Sequence, residues 1–204
     1  MSPEPVAAER VYILLREALI SGRFIPGATV VERVVALEYG VSVSPFRDAA
    51  QRLVGESLLE INPGGGYRTP LVTEESLRDL YRWHSHLVRL VLKAPTLIGR
   101  TSSPPISIAS DPGTVAIAAT ELFRSLARSC ANREYGQALA AATDRLHAAR
   151  LREGRVLKGL RAELETVRMS TTSGSDSDRF QVHWAYHRRR IRRVGKIVET
   201  LYVN

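Results

Sequence analysis

Cysteine occurs once in these 204 residues, at Cys130. A lone cysteine excludes an internal disulfide, suits a reducing compartment, and is expected as a small buried core residue. Aromatic residues make up only 6% of the chain, too few for a surface of stacked rings. No apolar run approaches the ~18 residues needed to span a bilayer. The start Met1-Ser2-Pro3-Glu4-Pro5 lacks the basic and apolar regions of a signal peptide. A cytoplasmic protein without membrane contact is the expectation. Enzyme signatures are missing too: no Walker loop, no G-x-G-x-x-G after a strand, no G-x-S-x-G and no H-E-x-x-H. No catalytic residue is assigned. Lysine is absent from residues 1–80, which carry eight Arg against eleven Asp or Glu, a net −3. Residues 81–204 carry twenty-one Lys or Arg against ten acids, a net +11.

Residues 31–68 are the most informative part. Val31, Val34 and Val35 predict one buried face on a short helix that Gly40 ends. Ser42 or Ser44 can cap a second helix, with Pro45 in its first turn and Phe46, Ala49, Ala50 and Leu53 buried. Leu58–Ile61, the turn Asn62-Pro63-Gly64-Gly65-Gly66 and Tyr67–Val72 predict one β-hairpin. Helix, turn, helix and hairpin make a winged helix-turn-helix, which lays its second helix in a DNA major groove.

A helix is predicted from Pro5 to Ser21, and another from Thr73 to Lys93 or Ile98 with Thr73 as its cap. Residues 99–114, rich in Ser and Pro, predict a loop. Helices follow at about 115–131, 134–151, 154–170 and 179–202, with a flexible loop at Ser170–Asp178. The fold class is mostly α: a winged helix-turn-helix with one hairpin over residues 1–72, and an antiparallel helical bundle over 73–204.

Three predicted helices each carry one inward histidine: His84, His147 and His187. His84 falls in the stripe Leu77, Leu80, Tyr81, Leu87, Val88, Val91. His187 falls in the stripe Phe180, Trp184, Ile191, Val194, Val198, Leu201, with His183 at its edge. Facing imidazoles can ligate a metal or, when protonated, hold an anion. Each can equally be a hydrogen-bonded core residue. A recruited, cofactor-independent enzyme would use one of them as acid or base. The run Arg188-Arg189-Arg190-Ile191-Arg192-Arg193 reads as a solvated helix face or a partner for the acidic half. A polyanion patch is its alternative.

Several segments resemble the GntR transcription regulators, in the branch with an all-helical FadR-type (FCD) C-terminal domain. Ile20-Ser21-Gly22-Arg23-Phe24-Ile25-Pro26-Gly27 resembles that family's I-x-x-G-x-l-x-P-G. Val41-Ser42-x-Ser44-Pro45-Phe46-Arg47-Asp48-Ala49 resembles its V-S-R-T-P-V-R-E-A, and Leu146-His147 its F-H. The resemblance implies a homodimer that binds double-stranded DNA and answers to a small-molecule effector. It implies DNA contacts from Ser42, Ser44, Arg47, Arg52, Gly66 and Arg68. It departs where the family has arginines, at Val43 and Gly65, and where Glu56-Ser57-Leu58 replaces E-G-L.

Relatives often hold a divalent metal such as zinc through one Asp and three His. His147 and His187 resemble two of those ligands. The Asp position is Thr143, and the last histidine has no counterpart. His183, one turn before His187, could complete the set. Otherwise the cavity takes an organic molecule alone, at His84, Thr143, His147, His183 and His187. His84 stands where relatives often carry an effector-contacting Arg. The implied function is a ligand-responsive transcription regulator. Its alternative is a relative that has lost operator binding and serves as an enzyme or ligand-binding protein, as in a biosynthetic pathway.

Overall fold

The computed structural model describes residues 3–95 and 111–203, so residues 99–110 of the expected loop lie outside the described residues. The chain forms two compact units, Met1–Val72 and Thr73–Asn204. Among the described residues, no helix is long and apolar enough to cross a membrane.

The first unit runs α1 (Pro3–Ile20), β1 (Thr29–Val30), α2 (Glu32–Glu38), α3 (Val43–Gly55), β2 (Glu60–Ile61) and β3 (Tyr67–Arg68). Val11, Leu15 and Leu19 recur every four residues on α1 and are buried, as one helical face requires. They share a core with Phe46, Ala49, Ala50 and Leu53 of α3. The expected hairpin gains a third strand. β1 pairs antiparallel with β3 in the order β1-β3-β2, with Val30 opposite Tyr67. The ring of Phe46 meets that of Tyr67 edge-on at 6.1 Å, which seats α3 on the sheet. In α2 the inward residues are Val35 and Ala36, whereas Val31 and Val34 are exposed. That corrects the expected stripe: with only seven residues in α2, packing against α3 sets its rotation.

The second unit contains α4 (Glu74–Lys93), α5 (Pro112–Ser129), α6 (Arg133–Arg145), α7 (His147–Glu153), α8 (Leu160–Ser173), α9 (Asp176–Ile191) and α10 (Val194–Leu201). Caps define the ends. Thr73 and Ser76 form a capping box, and Asp111, Asn132 and Ser175 accept bonds from first-turn amides. The core gathers Leu87 and Val88 of α4, Phe123 of α5, Leu139 of α6, Val167 of α8 and Tyr186 of α9.

Three expectations are corrected here. The helix predicted at 134–151 bends at Leu146, still helical at φ −81° and ψ −11°. The one at 179–202 breaks at Arg193 (φ −117°, ψ 10°). The expected loop at Ser170–Asp178 shrinks to Gly174 and Ser175, because Ser175 caps α9 one turn early.

Ser57 is the positive-φ non-glycine residue among those described, at φ +57°. It closes α3, with the Leu58 amide donating to the Leu53 carbonyl. A left-handed non-glycine residue costs about 1–2 kcal/mol. Ser57→Gly is therefore expected to stabilise the first unit by roughly 1 kcal/mol. Urea unfolding of the full chain checks this, and an unchanged or lower midpoint would contradict it.

Candidate functional site

The face expected to read DNA comes from α3 and the turn between β2 and β3. Ser42, Ser44 and Arg47 are exposed along the start of α3. Ser42 occupies the N-cap position but makes no side-chain cap bond. Arg47 Nε donates to Glu32 Oε2 at 2.8 Å. Arg68 pairs with Glu60 at 3.0 Å. Arg52 lies five residues beyond Arg47, so it points about 140° away from it. It pairs with Glu9 of α1 at 2.5 Å and stacks 3.8 Å over the Tyr12 ring, so its packing serves α1. All three candidate arginines are thus ion-paired.

Gly65 and Gly66 take φ +92° and +75°, which L side chains rarely adopt. The missing wing arginine therefore coincides with a turn built for glycine. Sequence reasoning missed Arg33, which is exposed on α2 beside Val34 and Leu37.

The histidines do converge in the second unit, and their hydrogen bonds define their protonation. His187 Nδ1 lies 2.6 Å from the His183 carbonyl. A carbonyl only accepts, so Nδ1 carries the proton and Nε2 of the neutral ring accepts. That Nε2 takes the Nδ1 proton of His84 at 2.7 Å. His84 Nε2 is then an acceptor, for Thr143 Oγ1 at 3.0 Å and Arg150 Nη2 at 3.2 Å. His147 Nδ1 meets Thr120 Oγ1 at 2.7 Å. Thr171 donates to the Val167 carbonyl, so it accepts from His183 Nε2 at 3.0 Å. Burial first, with Arg150 next for His84 and His147, holds the imidazoles neutral. His147 and His183 are pushed down to about 4, and His84 and His187 well below the usual range.

Arg150 is the centre of this cluster. It is 1% exposed. Its Nη1 donates to the Thr143 carbonyl at 2.9 Å and to Thr120 Oγ1 at 3.2 Å, while its buried Nε has no partner among the described residues. No carboxylate among those residues pairs with it. Glu153, one turn along α7, accepts from Tyr81 and from Arg190 at 2.7 and 2.9 Å. Glu163 joins Arg190 at 3.0 Å, and Asp144 pairs with Arg124 at 2.6 Å. Sequence reasoning missed Arg150, although Thr143, His147 and Arg150 are spaced to share a helical face.

A metal does not fit these residues. Among those described, no three His, Cys, Asp or Glu side chains are grouped to hold one. His187 has spent its free lone pair on His84, Thr143 is no carboxylate, and the Arg150 guanidinium would repel a cation. The void beside Arg150, Glu153, Tyr186 and Arg190 measures about 10 Å³, space for one water at most. The stripe expected around Trp184 and Ile191 is corrected as well. Trp184 is exposed, and α9 buries His183, Tyr186, His187 and Arg190 instead.

Residues 7–68 match the family model described as "Bacterial regulatory proteins, gntR family". The HTH-type transcriptional regulator YdhC of Bacillus subtilis (strain 168) is 28% identical over 82 residues, 40% of this chain. That match spans 37% of YdhC's own length. Two solved structures share the fold. A GntR transcriptional regulator from Rhodococcus sp. RHA1 gives a TM-score of 0.71 at 17% identity, covering 92% of this chain and 96% of that one. E. coli McbR/YncC gives 0.55 at 15% identity, covering 93% and 97%.

The neutral histidines tie stability to pH. Their folded pKa values are lowered, so between about 6.5 and 4 the unfolded chain binds protons that the folded chain refuses. Stability is complete above about pH 6.5 and falls as the pH drops, by at most about 1.4 kcal/mol per unit for each histidine. Several acting together rival a total stability of about 5–15 kcal/mol. The melting temperature is expected to fall steeply from pH 6.5 to 5, and less steeply in His147→Gln. A flat profile in thermal melts over that range would contradict it.

Proposed function

We propose that the protein is a ligand-responsive transcription regulator that binds double-stranded DNA as a homodimer and senses an organic anion in its helical unit, a reading supported by the match of residues 7–68 to the gntR family model. The observation that carries the ligand reading is Arg150: a buried cation without a carboxylate, with an unspent Nε, among neutral rings. A buried charge without a counter-charge is costly. A ligand carboxylate would supply that charge, and a guanidinium fork can donate two parallel hydrogen bonds to it. Thr120 and Thr143 stand beside the fork, their hydroxyls engaged with His147 and His84. The effector class is therefore a small mono- or dicarboxylate held directly by Arg150.

The closed packing gives the ligand leverage. A void of about 10 Å³ cannot admit a carboxylic acid, so binding requires α5, α7 and α9 to part. A ligand that binds only the parted arrangement draws the population toward it. In a two-fold dimer on an inverted repeat, such a change alters the spacing of the two recognition helices. On the DNA side, Ser42, Ser44 and Arg47 reach base edges and phosphates from α3, with Gly66 and Arg68 at the wing. The Arg47–Glu32 pair leaves Arg47 63% exposed. Exposed pairs are worth about 0–1 kcal/mol, so a guanine or phosphate can displace Glu32.

A second reading, a ligand-binding relative without operator binding, is favoured by one observation: Arg47, Arg52 and Arg68 all sit in ion pairs. Gel shifts on the DNA upstream of the protein's own gene separate the two. Wild type is expected to bind, and Arg47→Ala to bind about 1–3 kcal/mol more weakly. A panel of small carboxylic acids is expected to include one that alters wild-type binding and leaves Arg150→Met binding unchanged. No shift with wild type at low salt would overturn the DNA reading, and equal responses of wild type and Arg150→Met would overturn the anion reading.

A further inference from the structure

A groove of about 520 Å³ runs along α9 and the turn between α7 and α8. Lys158, Arg188, Arg189, Arg192 and Arg193 line it together with Trp184. No acidic side chain is among its lining residues. Glu163 reaches Arg189 from α8 at 3.3 Å, and Arg189 also donates to the Lys158 carbonyl, which steadies one wall. Lys158, Arg188, Arg192 and Arg193 are exposed and have no ion-pair partner among the described residues. Trp184, Arg188 and Arg192 are spaced by fours, so they follow one face of α9 to its end. The Arg188 guanidinium lies 4.5 Å from the Trp184 ring centroid, yet the indole stays 55% exposed. Val156 and Leu157 add an apolar floor.

Five like charges around one concavity repel one another and raise the local concentration of anions. Four of the five are arginine, whose planar fork matches phosphate oxygens. The volume lies within the roughly 300–1,000 Å³ of small-ligand sites. An exposed indole above an apolar floor offers a face to a flat ring. A single-stranded nucleic acid would want successive aromatic platforms, and this groove has one.

We propose that the groove is a second ligand site, for a nucleoside di- or triphosphate. The phosphates lie against Lys158, Arg188, Arg192 and Arg193, and the base lies on Trp184. The site stands apart from the Arg150 cluster and does not depend on it.

The chain has two tryptophans, so Trp83→Phe leaves Trp184 as the sole indole reporter. ATP and GTP, titrated at about 0.15 M salt where long-range attraction is screened, are expected to quench its fluorescence saturably. Calorimetry is expected to give one nucleotide per chain. Removing the terminal phosphates to leave the monophosphate is expected to weaken binding by about tenfold. Lys158→Gln with Arg192→Gln, both exposed changes, is expected to weaken it by roughly a hundredfold. No saturation at millimolar nucleotide would overturn the site. So would undiminished binding by the double variant. Displacement of nucleotide by a short single-stranded RNA at far lower concentration would make the groove a nucleic-acid surface and overturn the proposal as well.

Discussion

Charge balance inside the helical unit governs much of what this protein can do. Two arginines, Arg150 and Arg190, are buried at 1% and 2% exposure. The buried acid near both, Glu153, is committed to Arg190, and Glu163 joins it there. Tyr81 ties the same carboxylate to α4. One ion-pair network thus clamps α4, α7, α8 and α9, with each charge met by partners at good distance. A buried pair of this kind holds its geometry firmly, because removing either partner strands the other. The network leaves nothing for Arg150, three residues before Glu153 on α7.

The surrounding histidines follow from that imbalance. A protonated imidazole beside Arg150 would add a second uncompensated charge, so His84, His147 and His187 stay neutral: His84 donates to His187, His187 donates to the His183 carbonyl, and His147 Nδ1 bonds Thr120 Oγ1. The chain of bonds from the His183 carbonyl through His187 and His84 to Arg150 has one consistent direction of donation. The positive charge at its centre is a guanidinium surrounded by acceptors.

The recognition helix and wing were legible because their signals are local: a serine before the helix, apolar residues at helical spacing, and glycines at a turn. The helical boundaries were less so. β1 has two residues, too few to show alternation. In α9 the buried positions 183, 186, 187 and 190 keep helical spacing, but they are His, Tyr, His and Arg. Apolar periodicity therefore points the helix toward Trp184. The histidine cluster was legible from three inward positions on separate helices. Arg150 and Arg190 were not, because arginine is presumed exposed until a tertiary partner is known. Likewise, nothing in the local sequence shows that Glu32, Glu9 and Glu60 reach Arg47, Arg52 and Arg68.

The central claim is that Arg150 carries a buried charge without compensation until a ligand arrives. The most direct measurement is the unfolding free energy of ligand-free Arg150→Met against wild type, by urea titration at neutral pH. The account predicts that the apolar replacement raises stability, as it does for other poorly compensated buried charges. A loss of several kcal/mol, of the order of 3–5 kcal/mol for a broken buried ion pair, would show Arg150 to be a satisfied structural residue and would contradict the account.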